Sequence, residues 1–98
     1  MAANQPDPLL HEVVHDMFHK LFDKDRDAYE KCQVPWSGHN ALVVSFGGVS
    51  KVMARDFCLE YAATAVPSLV VRAEAMDWRG ANGKTYPAVT VQLVGGLN

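Results

Sequence analysis

Two histidines stand four residues apart in the segment His11-Glu12-Val13-Val14-His15, with a glutamate beside the first. On a helix this spacing stacks the imidazoles one turn apart on one face. There they can grip a divalent ion while the carboxylate polarises a water bound to it. The chemistry so specified is zinc-assisted hydrolysis. His19 continues the strip by another turn, but His11 and His19 would lie ~12 Å apart along the axis, so the three cannot share one ion. A third ligand has to come from elsewhere, and His39, Glu60 or a cysteine is of the right type.

The segment resembles the H-E-x-x-H motif of zinc proteases, which implies zinc as cofactor, His11 and His15 as its ligands and Glu12 as general base. In the extended metzincin form a glycine belongs where this chain has Phe18. The same histidines also border the apolar stripe of an amphipathic helix. The preferred reading is that they are packed scaffold and that the protein needs no cofactor. A zinc-dependent hydrolase or metal-binding regulator is the alternative.

Two other segments carry chemistry in outline. Phe18 to Asp27 resembles the entry into an EF-hand, with Asp23, Asp25 and Asp27 at alternate positions. The sharp-turn glycine is Ala28 and the bidentate glutamate is Val34, so no calcium loop follows. In Phe46-Gly47-Gly48-Val49-Ser50-Lys51 a strand runs through glycines into a helix start. Gly48, Ser50 and Lys51 are therefore candidates for holding a small anion, although neither phosphate-loop pattern is present. The cadence resembles STAS domains over some twenty residues, as many strand-to-helix turns do. Cys32 and Cys58 sit within apolar patterns and read as buried thiols of a reducing cytoplasm.

These residues depend on elements that the pattern of the chain predicts. Apolar pairs at Leu9/Leu10, Val13/Val14, Met17/Phe18 and Leu21/Phe22 predict an amphipathic helix starting at Asp7-Pro8. A short second helix over about 25–33 follows the charged junction. Val34 to Asn40, with Pro35 and Gly38, reads as a loop. Ala41 to Phe46 reads as a strand buried on both faces. Ser50 caps a helix over about 51–65 that Pro67 stops. Leu69 to Trp78 and Thr85 to Val94 alternate as two strands of a hairpin around Gly80-Ala81-Asn82-Gly83. Arg72, Glu74, Thr90 and Gln92 fall on its wet face.

The expected architecture is α+β. One or two N-terminal helices precede strand, helix, strand, strand, giving a small three-stranded mixed sheet covered by helices on one face. Ninety-eight residues form one domain, with residues 1–7 as a flexible lead. A net charge of −2 gives no general attraction to nucleic acid. No apolar run approaches the ~20 residues of a membrane span.

Trp36, Trp78 and Tyr86 fall outside the helical stripes, and Phe18 and Phe22 widen the first of them. These five are the candidate interface residues. The function expected is a small cytoplasmic protein-interaction module without catalytic activity. It would act as an accessory, regulatory or inhibitory protein, with a protein partner or a second copy of itself.

Overall fold

The apolar pairs of the N-terminal segment wind into α1 (Pro8–Leu21), which buries Leu10, Val13, Val14, Met17 and Phe18 along one stripe. The structure, a computed structural model, describes residues 8–96, so the expected flexible lead lies outside the described residues. Asp25 starts a short α2 (Arg26–Glu30), its carboxylate accepting the Ala28 N–H at 3.0 Å. Two strands follow, β1 (Gln33–Ser37) and β2 (Ala41–Ser45). Helix α3 (Lys51–Ala65) begins at Ser50, whose hydroxyl accepts the Met53 N–H at 3.1 Å, and buries Ala54, Cys58 and Ala62. The hairpin of β3 (Leu69–Arg79) and β4 (Thr85–Gly96) completes the fold.

The α+β class holds, but the sheet has four strands and not three. They lie in the order β1-β2-β4-β3, and every neighbouring pair is antiparallel. The extra strand is β1, which sequence reading assigns to a loop because of Pro35 and Gly38. Proline lacks the N–H that a central strand must donate, yet an edge strand tolerates it. β1 is such an edge, with a register shift between Gln33 and Trp36. A tight turn, with the Gly38 N–H donating to Ala41 C=O at 2.8 Å, returns the chain into β2.

The expected mixed sheet is also corrected: no pair is parallel, and β4 lies between β2 and β3. Charge placement accounts for this order. β3 carries Arg72, Glu74, Asp77 and Arg79, whereas no Lys, Arg, Asp or Glu occurs in β4. A charged strand is stable at an edge, where it also discourages pairing with foreign strands.

Both long helices cover one face of this sheet. Leu42 and Val44 from β2, Val89 and Val91 from β4, and Ala73 from β3 point into one cluster with the stripes of α1 and α3. Phe46 just beyond β2 stacks obliquely on Phe18 and Phe22, with ring centroids 5.7 and 6.3 Å away. Phe18 and Phe22 are accordingly core residues, which corrects their expected place on an exposed surface. The stripe of α1 is wide because it must cover Phe46 as well as the strands. Burying each such side chain fully contributes about 1.5–3 kcal/mol.

Candidate functional site

Strand periodicity sends alternate residues to the other face, and among the described residues no helix covers that side. Register places Trp36 of β1 beside Val43 of β2, which sits beside Thr90 of β4, which in turn sits beside Glu74 of β3. Nearer the hairpin turn, Ser45, Ala88 and Met76 form the next row, and Trp78 faces Tyr86 directly across the strand pair. The three aromatic residues singled out from the sequence therefore share one face. Trp36 is 47% exposed and Tyr86 37%, while Trp78 is half-buried.

Small side chains between these rings are hidden nonetheless. Val43, Ser45 and Ala88 are buried although they point away from the helices. The large neighbours Trp36, Met76 and Trp78 are what this face has to shield them with. The Thr90 hydroxyl donates to Met76 Sδ at 2.9 Å and fixes that side chain within the surface.

Two glycines set the rings in place. A Cβ on Gly38 would lie 2.6 Å from the tip of the Trp36 indole, so the ring rests on the bare glycine backbone. At the other end, a Cβ on Gly80 would approach the Tyr86 ring to 3.2 Å. The Asn82 amide donates to Tyr86 Oη at 2.9 Å. Rings held before a partner arrives lose less freedom on binding.

Between Trp78, Tyr86 and Pro35 the surface opens into a cavity of about 590 Å³, which Lys31, Gln33 and Asn82 also line. Sequence reading did not pick out Lys31, Gln33 or Asn82. Asn82 alone left a signal, as part of the turn cluster.

The histidine strip is arranged differently. His11 and His15 are exposed on α1 and line a separate groove of about 350 Å³ with Tyr29, Glu30 and Cys32. His15 Nε2 lies 2.8 Å from Tyr29 Oη in a hydrogen bond, and the Tyr29 ring meets His19 edge-on at 5.1 Å. Tyr29 thus ties α2 to α1 through one of the two ring nitrogens of His15. Among the described residues no group of three His, Cys, Asp or Glu side chains converges to hold a metal. Glu60 lies on α3 beside Lys20 and Phe57, and His39 is in the β1–β2 turn. Neither joins His11 and His15.

Gly48 adopts the left-handed φ of +91° needed to turn into α3. The two polar side chains of that turn have partners. Ser50 caps α3, and Lys51 Nζ holds Asp77 at 2.7 Å. Cys32 and Cys58 are free thiols that burial pushes up to about 11 and about 12, far from the thiolate a nucleophile requires.

Among the described residues no helix is long and apolar enough to cross a membrane. The chain matches no protein-family profile, no curated protein and no solved structure.

Proposed function

We propose that this chain is a non-catalytic protein-interaction module of the cytoplasm, an accessory, regulatory or inhibitory protein that associates through the helix-free face of its sheet. The observation that carries the reading is the gathering of Trp36, Trp78 and Tyr86 on that one face. Tryptophan and tyrosine supply much of the energy of protein interfaces, because they bury a large rigid surface and keep a polar edge. A sheet covered on both sides would have no need of them there. Three of the polar side chains singled out from the sequence have partners within the fold: His15 with Tyr29, Lys51 with Asp77, Ser50 as a cap.

Selection from a random twelve-residue peptide display library on the purified protein tests this reading. Clones are expected that bind the wild type and not the Trp78→Ser variant, with circular dichroism confirming that the variant is folded. Sedimentation equilibrium of both proteins tests association between copies in the same way. If no clone depends on Trp78 and the protein stays monomeric at high concentration, the reading fails.

A further inference from the structure

Charge is divided unevenly between the two layers of this molecule. Residues 8–30 and 51–65, which hold the three helices, carry eight carboxylates against five Lys and Arg side chains. The remaining described residues carry two carboxylates, Glu74 and Asp77, against four cations, Lys31, Arg72, Arg79 and Lys84. The helix-layer cations Arg26, Lys51 and Arg55 each have a carboxylate within 4.0 Å. Lys51 takes Asp77 out of the sheet layer, on the helix side. No ion pair within that distance involves any of the four sheet-layer cations among the described residues.

One of those cations lines the aromatic cavity, and a second follows a turn of its wall in the chain. Lys31 lines it directly, and Lys84 closes the turn whose residues Gly80, Ala81 and Asn82 form its wall. The cavity itself is apolar where Trp78, Tyr86 and Pro35 meet and polar at Gln33, Ser45 and Asn82. Its volume of about 590 Å³ falls in the usual range for sites that bury a compact group. With Asn82 donating to its oxygen, the Tyr86 hydroxyl keeps its own proton for an outside acceptor.

We infer that this end of the face receives an acidic protein segment, which seats an apolar side chain between Trp78, Tyr86 and Pro35 and sets flanking carboxylates against Lys31 and Lys84. The inference rests on the protein-binding reading above and gives the partner its chemistry. Ammonium groups beside an apolar cavity favour a partner that brings both an apolar anchor and negative charge. Single-stranded nucleic acid fits less well, because it needs cations along its whole track. Here the next cation on the face, Arg72, is six residues from Trp78 along β3, ~20 Å away, with Glu74 between them. A second copy stacked face to face would bring Lys31 and Lys84 against a surface that is already cationic.

Peptides enriched on the wild-type protein are the probe. Their affinities are measured by fluorescence anisotropy at 50 and 300 mM NaCl, next to charge-neutral versions of the same peptides and a labelled fifteen-residue oligothymidylate. Enriched peptides are expected to carry Asp or Glu beside a Leu, Phe or Trp. They should bind about fivefold tighter than their neutral versions at low salt, the amount two exposed ion pairs supply. That preference should shrink at high salt and vanish in the Lys31→Gln, Lys84→Gln double variant, whose changes lie at the surface. Peptides that bind through Trp78 without acidic bias, or whose preference survives the double variant, overturn the inference and leave the protein-binding reading standing. Tighter binding of the oligonucleotide, or self-association that Trp78→Ser abolishes, also overturns it. The absence of any Trp78-dependent peptide removes both.

Discussion

Leu42 and Val43 are neighbours in β2, both are buried, and they belong to opposite sides of one sheet. Leu42 lies on the helix-covered side, in a cluster that also draws on α1, α3, β3 and β4. Val43 lies under little more than the side chains of its own face, among them Trp36. The first side is closed by helices whose only task there is to exclude water. The second is closed by individual rings, Trp36 seated on Gly38 and Tyr86 beside Gly80. Burial alone therefore does not separate the core from the proposed binding surface; what does the covering separates them.

The largest effect expected from that contrast is on stability. Leu42→Ala should cost about 3 kcal/mol, because the packed helix layer over it hinders collapse of the space left behind. Val43→Ala should cost less than about 1.5 kcal/mol, since rings on an open face can settle into the gap. Urea denaturation of the two variants compares the faces directly, and equal losses would erase the distinction.

Alkaline titration probes the closed side next. Thiols in an unfolded chain ionise near 9, whereas burial raises Cys58 to about 12 and Cys32 to about 11. Above pH 9 the unfolded state therefore releases protons that the folded state keeps. This contribution to stability is complete below pH 9 and is lost as pH rises toward 12. Cys58→Ala should flatten the fall between pH 9 and 11, read as the denaturation midpoint against pH.

On the open side, Gly38→Ala should leave stability within about 1 kcal/mol, because the atom it meets is the free end of an indole. Tryptophan emission should change nonetheless as Trp36 swings off its seat. An unchanged spectrum would show that the ring is not held there. The smallest effect belongs to the histidine strip. Tyr29→Phe removes the exposed hydrogen bond to His15 and should cost about 0.5 kcal/mol in thermal unfolding.

How far the sequence could be read depended on what kind of signal each element carries. The bounds of α3 were legible because Ser50 and Pro67 punctuate them and act within one turn of chain. β1 was not, because Pro35 and the nearby Gly38 read locally as loop signals, and the edge position that tolerates the proline is a property of the whole sheet. The central place of β4 was equally out of reach, since it follows from competition between strands for the interior. Trp36, Trp78 and Tyr86 stood out as large side chains without a helical stripe. Their convergence on one face depends on the β1–β2 register and its irregularity, which no local pattern records. Phe18 and Phe22 were misplaced for the complementary reason: Phe46, the ring that consumes them, lies more than twenty residues later in the chain.

The strand order carries a consequence for how this chain is made. β4 is the last described element to leave a ribosome, yet it is the only one that bonds to both β2 and β3. Until residues 85–96 emerge, no strand joins the first hairpin to the third strand, and α1 and α3 lack part of the floor they settle on. Before that strand is in place, Leu42, Val44 and Ala73 lack their neighbours Val89 and Val91, and a chain with a half-built core is most open to aggregation.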